Sequence, residues 1–446
     1  MKYNIDNYVY DSQNNIIYPK TVNEDDLNDI LDDSRMDEEY SAELNRLEKS
    51  VDKNCNLNDR FIETAGIVLT YNCNFRCNYC SQSSACGDLN LLSDFDIKAF
   101  VNELLRRKKL ENLVLGKNEG IRIYLTGGGE PTFDWDRFIN SVRIIENCCS
   151  NENVKFMLEM TSNGFWNDNQ LEFIINHFNR VYISYDGIPV LQNRNRISIN
   201  EDKTSQTVEN SIKRLIGEGI RTTIRTTIWQ YDIAYLEEIY EYIESKFEGL
   251  YSWEINPVTA AGRAVGGVKR IKDLNQYSFV EKFIKLKDKD TALKITTPLL
   301  SEEKTGFSCG GVGCFATGLW LFPDGRITTC VDDNKNVPVV GKVQNGVIHF
   351  YKEYEDPLLE MGIKKYKECK ECFAFIVCAG GCPLKHIREK LYNTGEMQWE
   401  CEMQKQYWLK IIESVMKNDK PYIGWKKNKM LTGKGFEYYV LEEVHE

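Results

Sequence analysis

From Ala65 onward, apolar and polar positions alternate in two rhythms. Short β-branched runs read as strands: Gly66 to Thr70, Ile121 to Thr126, Val154 to Thr161, Arg180 to Ser184, Arg221 to Trp229 and Tyr251 to Asn256. Stretches with a helical apolar period follow each one: Asp96 to Leu110, Asp136 to Cys149, Gln170 to Phe178, Val208 to Gly217, Ile233 to Phe247 and Tyr277 to Lys287. Repeated strand–helix units predict an α/β fold with a parallel sheet. Six units, against the eight of a closed barrel, predict a partial (β/α)6 TIM-like barrel.

The pattern changes on both sides of this region. After Leu300 the chain becomes rich in Gly and Cys, with only short apolar runs, so metal crosslinks are its expected source of order. The first 60 residues are acidic and rich in Asn and Asp; there, Tyr3 to Tyr18 predicts a hairpin around Asn14 and Asn15, and Glu38 to Val51 a helix. The expected divisions are an N-terminal segment (1–60), the barrel (61–300), a Cys-rich domain (301–405) and a helical tail (406–446).

With 446 residues and a hydrophobic share of 42%, the chain can bury a large core. A formal charge of −11 argues against a phosphate backbone as partner, because that attraction comes from clustered Lys and Arg. No run nears the roughly 18 apolar residues of a membrane span, and the first ten residues lack a signal-peptide layout. A cytoplasmic protein with no membrane partner is expected. In that compartment thiols stay reduced, so 15 cysteines read as metal ligands before disulfides.

Cys73, Cys77 and Cys80 form a Cys-x3-Cys-x2-Cys loop just after the first strand. Three thiolates on one loop can hold three irons of a cubane and leave the fourth iron open. Zinc is the competing reading, but it normally takes a fourth Cys or His nearby, and none of the four His is near this loop. Three polar turns close the next three strands: Thr126-Gly127-Gly128-Gly129-Glu130-Pro131, Thr161-Ser162-Asn163-Gly164 and Ser184-Tyr185-Asp186-Gly187. Carboxyl ends of successive strands are where barrel active sites assemble. A second cysteine set follows at Cys309, Cys314, Cys330, Cys369, Cys372, Cys378, Cys382 and Cys401, enough for two fully ligated clusters or for a zinc ribbon. Cys55, Cys86, Cys148 and Cys149 are left as spectator thiols.

The first cysteine loop, with Tyr79 before its last cysteine, resembles the signature of the radical S-adenosylmethionine superfamily, and the three turns resemble its cofactor-binding elements. The later cysteines resemble the SPASM extension of peptide- and protein-modifying members, such as sactipeptide- and ranthipeptide-type maturases and anaerobic sulfatase-maturing enzymes. The resemblance implies a radical SAM barrel followed by a SPASM domain, three 4Fe-4S clusters and S-adenosylmethionine. It implies that Gly127, Gly128, Gly129 and Glu130 receive the methionine amino group, that Ser162 and Asn163 contact the ribose, and that Ser184 with Arg196 holds the carboxylate, Arg194 being the rival. For the auxiliary clusters it implies an interlaced pairing: Cys309, Cys314, Cys330 and Cys382 for one, Cys369, Cys372, Cys378 and Cys401 for the other.

The leading expectation is an enzyme that oxidises or crosslinks a side chain of a ribosomally made precursor peptide, served by a flavodoxin- or ferredoxin-like electron donor. Formylglycine formation on a sulfatase is the second, with Asp332 as candidate base although displaced by one residue from the usual place. A non-catalytic iron–sulfur carrier or redox-sensing module is the third. Residues 1–60 read either as a shortened leader-peptide-binding module or as a cap on the barrel. Trp229, Glu254 and Asn256 are further pocket candidates, Trp229 fitting core packing better.

Overall fold

The computed structural model describes residues 2–11, 16–21, 64–83, 92–116, 118–264, 276–289, 292–297, 299–300, 318–332, 337, 339–351, 364–365, 368–369, 372–374, 378, 380–416 and 422–423. The helix expected over 38–51, the ligand candidates Cys309 and Cys314, and Cys55 and Cys86 lie outside these residues.

The chain opens with β1 (Lys2–Ile5), β2 (Tyr8–Asp11) and β3 (Ile16–Pro19), each antiparallel to the next. Within the hairpin expected over Tyr3 to Tyr18, β2 pairs with β3, while its expected turn at Asn14 and Asn15 lies outside the described residues; a further reversal at Asp6 and Asn7 adds β1. Asp6 adopts φ +47°, a left-handed turn conformation that Asp tolerates better than most residues.

The barrel region follows the two rhythms closely. Its first half runs β4 (Thr64–Val68), α1 (Asp94–Leu115), β5 (Ile121–Thr126), α2 (Trp135–Asn151), β6 (Phe156–Ser162), α3 (Asp168–His177) and β7 (Arg180–Ser184). It continues through a short α4 (Pro189–Asn195), α5 (Ser205–Gly217), β8 (Arg221–Ile228), α6 (Leu236–Lys246), β9 (Ser252–Pro257), α7 (Gln276–Lys287) and β10 (Lys294–Thr296). Strands β4 to β10 are parallel and adjacent in chain order. Three elements depart from the expectation: β10 adds a seventh parallel strand to the six expected. α4 begins on Pro189, whose missing N–H is harmless at a helix start, and the 3-10 turn Gln230–Tyr235 replaces the first part of the helix expected from Ile233.

Alternation along the strands sorts the two faces of the sheet. Ile123, Leu125, Leu158, Met160, Val181, Ile183, Ile224, Trp253 and Ile255 are buried in the apolar core. The intervening positions Tyr124, Glu159, Thr161, Tyr182, Arg225, Glu254 and Asn256 are polar and bond one another, so the barrel has a polar inner face. Helices bury one stripe each; α2 buries Phe138, Ser141, Val142, Ile145, Cys148 and Cys149, a 3.6-residue spacing.

The Cys-rich part extends the same sheet. Strand β11 (Gly318–Leu321) lies parallel to β4, and β12 (Arg326–Thr328), β13 (Val339–Gln344) and β14 (Val347–Phe350) continue antiparallel beyond it. Close approach explains Gly66: a Cβ there would stand 2.4 Å from the Trp320 ring and 2.6 Å from the Tyr124 carbonyl oxygen. Helices α8 (Pro383–Tyr392) and α9 (Glu396–Met416) then lead to β15 (Tyr422–Ile423), which pairs with β3. Tyr10 meets Trp408 edge-to-face and the Tyr8 hydroxyl donates to the Met416 carbonyl at 2.7 Å, fastening the N-terminal sheet to α9. Among the described residues no helix is long and apolar enough to cross a membrane.

Candidate active site

Cys73, Cys77 and Cys80 open on a cavity of about 380 Å³ at the carboxyl ends of β5 to β9. Their loop is held from four directions. From the β5 turn, Gly129 N donates to the Thr70 carbonyl (3.0 Å) and Glu130 N to the Asn72 carbonyl (2.8 Å). From the β6 turn, Asn163 Nδ2 donates to Asn74 Oδ1 (2.6 Å). The end of α4 and the segment after it supply the carbonyls of Asn195 and Ile197 to Asn78 N and Arg76 N. After β9, Arg263 donates its backbone N–H to the Cys80 carbonyl and its Nε to the Cys77 carbonyl, both at 2.9 Å.

The glycines of the second motif are required by this packing. A Cβ on Gly129 would lie 1.9 Å from the Asn72 carbonyl oxygen, and one on Gly128 would lie 2.4 Å from the Tyr71 ring. Their lack of side chains therefore serves the approach of one loop to another, while the same three residues line the cavity. Glu130 is almost wholly buried and accepts from Thr132 Oγ1 (2.8 Å), Ser162 Oγ (2.7 Å) and Asn163 N (2.8 Å). Burial raises its pKa against the pull of those bonds. The carboxyl group clasps the β5 turn to the β6 turn.

Ser184 and Arg196 also line the cavity. Arg196 Nε donates to Asp186 Oδ1 at 3.0 Å, and the Tyr79 hydroxyl donates to Asp186 Oδ2. The guanidinium carbon lies 5.3 Å from the centre of the Tyr79 ring. Burial works to lower the Arg196 pKa, but Asp186 outweighs it and holds the side chain cationic. Arg194 turns away, its Nη2 on Asp232 at 2.5 Å, so of these two arginines Arg196 is the one that lines the cavity. Asp186 was legible as part of the Ser-x-Asp-Gly turn, but its grip on both Tyr79 and Arg196 was not. Trp229 packs beside Tyr79 and is buried, as its core reading expects.

Burial pushes the Cys77 thiol up to about 11 and Cys73 further still. Left to themselves these thiols stay protonated, so a cation must displace the protons for them to act as ligands. Phe75 N already donates to Cys73 Sγ at 3.3 Å, as backbone amides do at thiolate ligands. The donor set thus fits an iron–sulfur cluster, and the buried cation Arg196 with Ser184 fits a small carboxylate beside it.

A second cavity, also about 380 Å³, is lined by Cys330, Cys369, Cys372, Cys378, Cys382 and Cys401. Cys330 and Cys382 pack together against Val337 and Leu384. On the other side, Cys372 N donates to the Cys369 carbonyl at 2.8 Å, and burial raises the pKa of both Cys369 and Cys401. Asp332 lies in this cavity, its Oδ2 accepting from Arg388 Nη2, and not among the residues lining the first. Arg225, Asn256, Pro257 and Thr259 line both cavities and form the wall between them. Arg225 is fixed by Glu254 at 2.6 Å, and Asn256 bonds the same carboxylate oxygen at 3.0 Å. Cys148 and Cys149 are buried in the core, away from both cavities.

Residues 67–243 match the family described as the Radical SAM superfamily. A cysteine-type anaerobic sulfatase-maturating enzyme of Clostridium perfringens is 21% identical over 360 residues, 75% of this chain and 92% of that one. Among solved structures, "Native anSMEcpe with bound AdoMet and Cp18Cys peptide" superposes with a TM-score of 0.57 at 20% identity, covering 80% of this chain and 99% of that chain. "Native anSMEcpe with bound AdoMet" gives the same TM-score of 0.57 at 20% identity over 80% of this chain and 100% of that chain. With the cysteine loop and its three turns gathered on one parallel sheet, the chain carries a radical SAM domain over residues 67–243 and is an enzyme.

Proposed function

We propose that the chain is a maturase that uses S-adenosylmethionine, a 4Fe-4S cluster on Cys73, Cys77 and Cys80, and two auxiliary clusters to crosslink a side chain of a precursor peptide through a thioether or carbon–carbon bond. When bound, cluster and sulfonium together supply one-electron reductive cleavage of a carbon–sulfur bond, giving a carbon radical able to take a hydrogen atom from substrate. Arg196, held cationic by Asp186, and Ser184 bind the methionine carboxylate. The backbone of Gly127 to Gly129 receives the amino group, and Ser162 and Asn163 shape the ribose side. Glu130 keeps these two turns together. The observation that carries the reading is the shared wall: a side chain lying against Arg225 and Asn256 is within reach of both cavities, which net oxidation of a substrate needs.

Asp332 bears on the choice of reaction. Its Oδ2 is taken up by Arg388 and it is not among the residues lining the first cavity, which favours crosslinking over a reaction that needs Asp332 at a substrate there. The name of the curated relative favours the other reading, formylglycine formation on a sulfatase. The two separate cleanly. Reconstituted enzyme with S-adenosylmethionine, a reductant and the peptide encoded beside its gene should release 5′-deoxyadenosine and lower the peptide mass by about two hydrogens. Turnover of a Cys-x-Pro-x-Arg sulfatase peptide, with the neighbouring peptide untouched, would instead establish the formylglycine reaction. A flavodoxin- or ferredoxin-like protein is the proposed donor.

A further inference from the structure

Helix α8 begins at Cys382 and carries two cations one turn apart, Lys385 and Arg388, both lining the second cavity. Their situations differ. Lys385 is engaged by two carboxylates, Glu400 and, at 3.4 Å, Glu396. Arg388 has a side chain only 3% exposed and a single bond, from Nη2 to Asp332. Its Nε and Nη1 have no hydrogen-bond partner among the described residues. Folded proteins avoid leaving buried donors unmade, least of all charged ones, so two unpartnered guanidinium nitrogens on a side chain that lines a cysteine-lined cavity point to an acceptor bound there.

We propose that Nε and Nη1 of Arg388 donate hydrogen bonds to sulfur of the iron–sulfur cluster held by Cys330 and Cys382, and that Asp332 is a positioning residue that orients the guanidinium. The inference rests on the reading of Cys330 and Cys382 as cluster ligands. Donors and positive charge at cluster sulfur stabilise the reduced, more negative state and raise its potential. Arg388 therefore raises the potential of this cluster above the value it would have without the guanidinium.

The test compares anaerobically purified wild type, Arg388→Gln and Asp332→Asn by iron content and by redox titration followed with electron paramagnetic resonance. All three should hold about twelve irons per chain, as three cubanes require. In Arg388→Gln one midpoint should fall by roughly 59 mV, a tenfold change in a one-electron equilibrium, with the others unmoved. In Asp332→Asn the same midpoint should stay or rise, because a negative charge is lost while the donors remain. Full iron with unchanged midpoints in Arg388→Gln would overturn the assignment. So would loss of about four irons from both variants together, which would make the Arg388–Asp332 pair a structural clasp. Wild type holding only about four irons would overturn the cluster reading itself, a different failure.

Discussion

At the scale of single residues, Asp186 organises the cofactor side of the first cavity through Tyr79 and Arg196. Removing one partner of a buried charge pair costs about 3–5 kcal/mol, so Asp186→Asn should weaken S-adenosylmethionine binding at least about tenfold in equilibrium dialysis. Arg194→Ala is the control: its side chain is 42% exposed, bonds Asp232 and does not line the cavity, so affinity should change no more than about twofold. An equal loss in both variants would contradict the assignment of Arg196. Gly129→Ala sets a methyl group against the Asn72 carbonyl and should cost the chain about four irons while sparing the rest. What was legible in the sequence at this scale is what local chemistry forces: cysteines spaced for a cubane, and glycines and polar residues at strand ends. Asp186 as the hub and Arg263 on the Cys77 carbonyl were not, because those partners come together only through the fold; Arg263 lies 186 residues along the chain from Cys77.

The elements followed from periodicity wherever one face of a strand is polar and the other packed on helices, as in β5 to β9. Short pieces escaped it: α4 offers only two turns, and β11, β12 and β14 are too short to show a period. At the start of α1, the capping pair Ser93 and Asp96 is readable from sequence, but its tie to the β13–β14 turn is not. Asp96 accepts from Ser93 N (2.9 Å), Ser93 Oγ (2.7 Å) and Gly346 N (2.8 Å). Burial works to raise its pKa, but the Gly346 and Ser93 bonds outweigh it and leave it below the ordinary value. A depressed folded pKa gives stability that is present above the unfolded carboxyl value, about 3.9, and lost as pH falls through the folded one. Asp96→Ala should therefore cost about 1 kcal/mol in urea unfolding at neutral pH, with the gap to wild type narrowing below about pH 4. A gap that persists undiminished in acid would mean that packing, and not the carboxylate, secures this helix end.

Across the whole molecule, the sheet ties the radical SAM domain to the cysteine-rich part. Strand β11 covers the edge of β4, and Trp320 lies over Gly66. A chain ended at Leu300 would bare that edge and leave the site loop on an edge strand paired only with β5, so it should aggregate and hold no iron after reconstitution, where the full chain should be monodisperse. The central claim is that the three thiols of the first loop leave one iron free for the methionine group gripped by Arg196. Electron paramagnetic resonance of the reduced, anaerobically purified full chain, recorded with and without S-adenosylmethionine, tests it most directly. One cluster signal should change on addition in wild type and fail to change when Cys73, Cys77 and Cys80 are replaced by Ala, the auxiliary signals remaining. A wild-type spectrum indifferent to S-adenosylmethionine would contradict the account.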